Sequence, residues 1–161
     1  MKKFFAIVAM LIIGVTAANA QNYSKAIGVE GGWERGLGIT FKQFTGSGNF
    51  MDYKANFLLG DGFGALASAT YDFNVPLTPG LSFYYGLGVE GGFFAGLYHG
   101  QDFGGNIMLG GFGNIGLEYA FSAIPFAVSV DWNPGIRVVL GNNLWSGFSG
   151  RALNLGIKYT F

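Results

Sequence analysis

Cysteine is absent from this sequence of 161 residues, so disulfide bonds and thiolate metal sites are excluded. Charge is scarce as well: Asp, Glu, Lys and Arg make up 11% of the chain, against about 25% in an ordinary soluble domain. A soluble protein of this size would have difficulty covering its surface. After residue 20 no apolar run reaches the roughly 18 residues that a membrane-spanning helix requires.

What the chain has in excess is glycine, with 29 residues, and hydrophobic residues, which make up half of it. The glycines show no collagen period and no accompanying Ser or Gln bias, so they do not indicate a low-complexity linker. They lie inside runs that alternate between apolar and polar residues, which is the pattern of β-strands. Positive mean hydropathy without a membrane helix is typical of a membrane β-barrel.

Residues 1–20 have the three parts of a secretory signal peptide. Two lysines follow the initiating Met, residues 4–15 are apolar, and a small-x-small cleavage site ends at Ala20. The predicted mature chain, residues 21–161, carries seven basic and nine acidic residues, a net charge of −2. Nothing in this balance indicates a nucleic-acid partner. We therefore expect a signal peptide at 1–20 and one secreted β-barrel domain at 21–161.

The clearest strand is the last stretch, from Asn154 to the carboxy-terminus, where apolar and polar residues alternate with period two. The apolar face is formed by Leu155, Ile157, Tyr159 and Phe161. Residues 114–121 repeat the same pattern, with Glu118 at the position equivalent to Lys158. A strand that is apolar on one face, polar on the other and aromatic at its end is typical of a membrane barrel wall.

The same alternation predicts eight strands, an even number, joined by hairpins. Their predicted ranges are 24–33, 37–44, 49–59, 63–73, 81–93, 106–121, 126–140 and 154–161. The seventh strand is expected to be interrupted at Pro134. Two prolines make residues 74–80 a predicted connection, and residues 94–105 and 141–150 are predicted to be longer loops.

The composition of the two faces decides which of them is the interior. The apolar face is rich in Phe, Tyr, Leu, Ile, Val and Trp, and the polar face carries Gly, Ala, Ser and Thr with about one charge per strand. A water-exposed face would hold more charge and less glycine. The interior of an eight-stranded barrel is just wide enough for side chains to fill. The pattern therefore favours an apolar wall facing lipid.

On this interpretation six acids and four bases gather in the barrel interior. They are Glu30, Lys42, Asp52, Lys54, Asp72, Glu90, Glu118, Asp131, Arg137 and Lys158. Buried charges must be paired and hydrogen-bonded, so we expect an ion-pair network that fills the barrel. Since open aqueous channels belong to barrels of about 16 strands, we predict no sizeable pore.

These features resemble the small outer-membrane β-barrels of the OmpA/OmpX type. The final segment that contains Leu155, Ile157, Tyr159 and Phe161 is similar to the signal by which the outer-membrane assembly machinery recognises its clients. Residues 130–135, V-D-W-N-P-G, resemble a stretch of small barrels from Bacteroidetes-like bacteria. The resemblance implies a multi-pass barrel in the outer membrane, assembled through its last strand. It does not indicate an activity.

Catalytic and metal sites find little support in the sequence. Some eight-stranded barrels act on lipid A, but the single His99 has no Ser beside it from which a catalytic triad could be built. His99 and Asp102 together are too few ligands for a metal site. The glutamates Glu30 and Glu90 lie at matching positions of two strands and are expected to be structural rather than catalytic. We expect no enzyme activity and no cofactor.

The prediction is an all-β, eight-stranded antiparallel up-and-down transmembrane β-barrel, preceded by a cleaved signal peptide. Its expected role is structural or accessory in the cell envelope, as a monomer, with the lipid bilayer and the assembly machinery as partners. An outer-membrane lipid-modifying enzyme or lipid-binding barrel is one alternative. A secreted soluble β-barrel that binds an apolar ligand is the other.

Overall fold

A computed structural model of the chain describes residues 23–33, 35–45, 48–59, 62–98, 101–140, 144–150 and 152–161. The predicted signal peptide and His99 lie outside the described residues. The strand segments are β1 (Lys25–Gly32), β2 (Gly36–Phe44), β3 (Phe50–Leu59), β4 (Gly62–Thr78), β5 (Leu81–Tyr98), β6 (Gln101–Ala120), β7 (Phe126–Trp132), β8 (Gly135–Leu140), β9 (Trp145–Ser149) and β10 (Leu153–Thr160).

These segments form a closed antiparallel barrel of eight strands. Neighbours in sequence pair from β1 to β6, and β1 closes the ring by pairing with β10. Both β7 and β8 pair with β6, so they are two parts of the seventh strand. Likewise β10 pairs with β7 and β9 pairs with β8, which makes β9 and β10 the eighth strand. The predicted all-β, eight-stranded antiparallel barrel is confirmed. In the described ranges no helix is long and apolar enough to cross a membrane.

The seventh strand is interrupted where the sequence predicted it. Strand β7 ends at Trp132 and β8 begins at Gly135, because Pro134 has no N–H to donate to the backbone hydrogen bonds between strands. The wall stays hydrogen-bonded across the break: the Gly113 N–H donates to the Pro134 carbonyl at 2.8 Å, and the Asn133 N–H donates to the Ala152 carbonyl at 2.8 Å.

The predicted connection at residues 74–80 is wrong, because β4 runs through Pro76 to Thr78. Strand β3 begins at Phe50, opposite Asp72, so beyond that point β4 has a neighbour on one side only. Proline is tolerated at such an edge position. The real turn is Pro79 and Gly80, where a φ of 83° at Gly80 suits the third position of a type II turn.

The long loops predicted at 94–105 and 141–150 are also largely wrong. Strands β5 and β6 stay paired as far as Tyr98 and Gln101, and β9 pairs with β8 inside the second range. Glycines at 96, 104 and 105 hide the period-two pattern, because a residue without a side chain assigns no face. Backbone pairing with a long neighbouring strand, which the sequence pattern does not report, extends the strands there.

The two faces of the wall differ in chemistry. Large apolar side chains cover the outside, such as Leu87 and Val89, which are 77% and 67% exposed. The interior is filled by pairing large side chains with glycines on the adjacent strand. A Cβ atom at Gly116 would overlap the ring of Tyr84, its cross-strand partner, and one at Gly28 would overlap Lys158. The glycines therefore make room for the charged and aromatic side chains of the interior.

Candidate functional site

All ten charged residues singled out from the sequence lie inside the barrel. None is more than 6% exposed. They come from all eight strands of the barrel, and period-two alternation turns each of them inward. The first described residues and the carboxy-terminus lie at one end of this interior, since the N–H groups of Ser24 and Lys25 both donate to the carbonyl of Phe161. That end is called the terminal mouth below, and the other end the distal mouth.

At the terminal mouth, Glu118 forms ion pairs with two lysines. Its carboxylate lies 2.8 Å from Lys42 Nζ and 3.3 Å from Lys158 Nζ. The hydroxyl of Tyr23, which precedes β1, donates to the same carboxylate. Burial, together with the neighbouring Glu118 carboxylate, raises the pKa of the Tyr23 phenol well above its usual value. The phenol therefore keeps its proton and remains a donor.

Aromatic rings complete the closure of the terminal mouth. The Lys42 ammonium lies 3.7 Å from the ring centroid of Phe50, 5.0 Å from that of Tyr84 and 5.2 Å from that of Phe44. The Tyr23 ring is 5.8 Å away and packs edge-on against Phe44. A cation is attracted to ring faces at these distances. This group of Tyr23, Lys42, Phe44, Phe50, Tyr84 and Glu118 is called the terminal plug.

The middle of the interior continues the ion pairing. Lys54 Nζ lies 2.7 Å from Glu30 and 3.8 Å from Asp52. Asp52 is also 3.9 Å from Lys158, which connects this level to the terminal plug. Asp131 accepts a hydrogen bond from the Tyr84 hydroxyl at 2.5 Å. Each of these carboxylates therefore has a basic or hydroxyl partner, as burial requires.

Asp72 is held differently, by neutral groups. It accepts hydrogen bonds from Thr70 at 2.5 Å and from Asn114 at 2.8 Å. Asn133 donates to Asn114, and Asn154 donates to Asn133, both at 2.6 Å. This row of amides joins β4, β6 and β10 across the barrel. This row of amides was not predicted, although the inward position of all three asparagines in the strand alternation was a usable signal.

Toward the distal mouth, Glu90 lies between two arginines. Its oxygens are 2.8 Å from Arg35 Nη2 and 2.6 Å from Arg137 Nε. The Arg35 guanidinium also stacks 4.0 Å from the Phe112 ring centroid. Arg35 lies between the first two predicted strands and was not among the predicted interior residues. The predicted excess of six acids over four bases was the signal, since Arg35 supplies a fifth base.

The distal mouth is closed by apolar side chains, contrary to the expectation of a polar interior throughout. The distal cluster consists of Leu58, Leu66, Phe94, Met108 and Val139, each at most 8% exposed. It lies beyond the level of Glu90, on strands β3, β4, β5, β6 and β8. The charged region is therefore enclosed between the terminal plug and this cluster.

The four residues of the predicted assembly signal lie on the outer surface of β10. Leu155, Ile157, Tyr159 and Phe161 are 46–58% exposed. Strand β10 is paired on both sides, with β1 and with β7. The segment therefore forms the seam at which the barrel closes.

The contact between Ser129 and Lys158 does not form a nucleophile–base pair. Ser129 Oγ lies 3.3 Å from Lys158 Nζ, but the same ammonium is engaged by Glu118 and Asp52. A charged, ion-paired ammonium cannot accept the serine proton. The described residues contain no group of three or more potential metal ligands. The arrangement suits a filled, rigid interior.

No protein-family model matches the chain, and no curated protein matches it either.

Proposed function

We propose that this protein is an integral outer-membrane β-barrel with a structural or accessory role in the cell envelope and a sealed interior. The observation that carries the proposal is the inverted distribution of side chains. Eleven charged residues fill the interior, whereas residues such as Val29, Leu87 and Ile157 are more than half exposed on the wall. Soluble proteins bury the apolar face of a sheet, and lipid is the solvent that suits this arrangement.

Aromatic residues at the terminal end of the wall support the proposal. Tyrosines are enriched at membrane–water interfaces, where the ring contacts lipid and the hydroxyl contacts water. Outward tyrosines occur near the terminal ends of five strands, at positions 53, 71, 85, 119 and 159. Phenylalanines pack beside them: the ring centroids of Phe73 and Tyr85 are 5.5 Å apart, and those of Phe126 and Tyr159 are 5.7 Å apart. Together they form one aromatic girdle.

The lengths of four strands are also consistent with a barrel that spans a membrane. Strands β1, β2, β3 and β10 contain 8, 9, 10 and 8 residues. A tilted strand needs about 9–11 residues to cross the hydrocarbon core, and the residues next to these strands add to their span. Closure of the ring leaves no open edge between β1 and β10, which lipid would not tolerate.

The remaining parts of the proposal rest on the sequence. Residues 1–20 would direct the chain across the inner membrane and be removed. The outer-membrane assembly machinery would then recognise the segment ending at Phe161, as the resemblance to OmpA/OmpX-type barrels of Bacteroidetes-like bacteria implies. The barrel would function as a monomer without a cofactor or catalytic activity. Its partner is the bilayer, and an interior closed at both mouths supports a role other than transport.

Fractionation combined with heat-modifiability tests the proposal. The full chain is expressed in a Gram-negative host, and its membrane fraction is run on a denaturing gel with and without boiling. A closed ring of backbone hydrogen bonds should resist unheated detergent, so the unboiled protein should migrate as a separate band. Recovery in the soluble fraction without such a shift would contradict the proposal.

A further inference from the structure

Asp72 differs from the other interior acids in what surrounds it. Its side chain is fully buried, and it accepts hydrogen bonds from the Thr70 hydroxyl at 2.5 Å and from the Asn114 amide at 2.8 Å. Its cross-strand partners are Phe50 on β3 and Gly86 on β5, neither of which can carry a charge. Asp72 forms no ion pair with any described residue. Its carboxyl group is therefore held by neutral groups alone.

The ionisable groups on the neighbouring strands are already paired with other partners. Those that point inward are Asp52 and Lys54 on β3, Tyr84 and Glu90 on β5, and Glu118 on β6. Their partners are Glu30, Arg35, Lys42, Asp131, Arg137 and Lys158. Of these neighbours, Asp52 and Lys54 act most strongly on Asp72, and they act with opposite signs. Among the described residues no base is left to compensate a charge on Asp72.

Asp131 is the other interior acid without an ion pair, and it provides a comparison. The positive charges of Lys54 and Lys158 attract its carboxylate more strongly than the hydrogen bond from Tyr84 does. Asp131 is therefore compensated as an anion, whereas Asp72 is not.

The number of charges in the described interior leads to the same residue. Six buried acids face five buried bases, and the bases are Arg35, Lys42, Lys54, Arg137 and Lys158. If every acid were ionised, one negative charge would remain uncompensated in an interior of low dielectric constant. Such a charge is costly, and a buried acid avoids the cost by keeping its proton. With Asp72 neutral, five carboxylates balance five bases.

We propose that Asp72 is a proton-binding site, whose carboxyl group stays protonated at neutral pH in the folded barrel. The proton lies on Oδ2 and is donated to Thr70 Oγ1, since a hydroxyl accepts as well as donates. Oδ1 still accepts from the Asn114 amide, whose own oxygen accepts from Asn133 at 2.6 Å. Loss of the proton at higher pH would add a negative charge beside Phe50 of the terminal plug. The inference concerns the interior alone and does not depend on the proposed function.

Infrared spectroscopy of the purified barrel at neutral pH tests the assignment, because a protonated carboxyl group and an ionised carboxylate absorb at different frequencies. The wild type should show a protonated-carboxyl band that Asp72→Asn lacks. Asp131→Asn is the matched control, since it removes the other acid without an ion pair, and it should keep the band. A wild-type spectrum without the band would overturn the inference, and so would a band that is unchanged in Asp72→Asn.

The pH dependence of stability gives a second readout, measured by urea unfolding of the wild type and Asp72→Asn. An aspartate in the unfolded chain releases its proton near pH 3.9 or about that value, whereas the folded state keeps the proton on Asp72. Each pH unit from about 4 to neutral should therefore lower the folding equilibrium constant of the wild type about tenfold relative to Asp72→Asn, which has no proton to lose. The variant should be at least as stable as the wild type at neutral pH, because its amide donates to Thr70 as the protonated acid does. Equal pH dependence in the two proteins, or a variant less stable at neutral pH, would contradict the inference.

Discussion

At the terminal mouth of the barrel a lysine ammonium lies among four aromatic rings and a carboxylate, whereas at the distal mouth five apolar side chains meet. The terminal plug depends on Tyr23, Lys42 and Glu118, which come from distant parts of the chain. The distal cluster depends on the packing of residues such as Leu66 and Met108. Both close the interior. Removing one partner of a buried ion pair strongly destabilises the fold, whereas an apolar cluster tolerates a substitution that preserves volume.

Glu118→Gln should have the largest effect on stability. The variant keeps the shape of the side chain but leaves the ammonium groups of Lys42 and Lys158 without their shared carboxylate. Removing one partner of a buried ion pair costs about 3–5 kcal/mol. Urea unfolding of the refolded barrel in lipid vesicles measures this loss in the free energy of unfolding.

The double variant Lys42→Met with Glu118→Leu is the control, because apolar residues of similar volume can replace a buried pair. It should recover at least half of the loss. A double variant as unstable as Glu118→Gln would show that the Lys42–Glu118 pair does not cause the loss, which would then come from Lys158, left without Glu118 in both variants, or from packing.

Leu66→Ala in the distal cluster should have the second-largest effect on stability. It leaves a cavity among Leu58, Phe94 and Met108, and buried Leu→Ala changes cost about 2–5 kcal/mol. We expect about 3 kcal/mol in the same unfolding assay. Leu117→Ala, on the half-exposed outer wall, is the matched control and should cost clearly less. Equal losses would mean that the distal cluster packs no better than the wall.

Tyr23→Phe should destabilise the barrel by about 1.5 kcal/mol, the lower end of the range for a hydrogen bond to a charged acceptor. The phenyl ring stays against Phe44, and only the bond to Glu118 is lost. Tyr23→Ala removes the ring as well and should open the terminal mouth. Proteoliposomes loaded with a pH-sensitive dye should then show faster proton entry for Tyr23→Ala than for Tyr23→Phe. Identical rates would show that Tyr23 is not part of the seal.

Met108→Leu should have the smallest effect, about 1 kcal/mol or less. Leucine and methionine are similar in volume, and Met108 belongs to the apolar distal cluster. Lys42→Arg at the terminal plug provides the contrast, since a planar guanidinium does not reproduce a compact ammonium among ring faces. Urea midpoints of the two variants, compared side by side, would sharpen the difference between the mouths. Equal midpoints would contradict it.

Much of the fold was predictable because strand alternation is a local property. Period two assigned Glu90 and Lys158 to the polar face without any knowledge of their neighbours. The errors have local causes too. Glycines hid the alternation near residues 96 and 105, and Pro76 was taken as a connection because its position at a strand edge cannot be read from sequence. Arg35 was missed because a residue in a turn does not follow the inward–outward alternation of a strand.

The amino-acid sequence by itself determined which side chains share a face, how many strands form, and that one face is apolar and the other polar. Only the tertiary structure decided which inward side chains meet. Tyr23 and Glu118 are 95 positions apart, and Lys42 and Glu118 are 76 apart. These contacts follow from the register in which β1 closes against β10, because closing the ring and staggering its strands bring inward residues of opposite walls to one level.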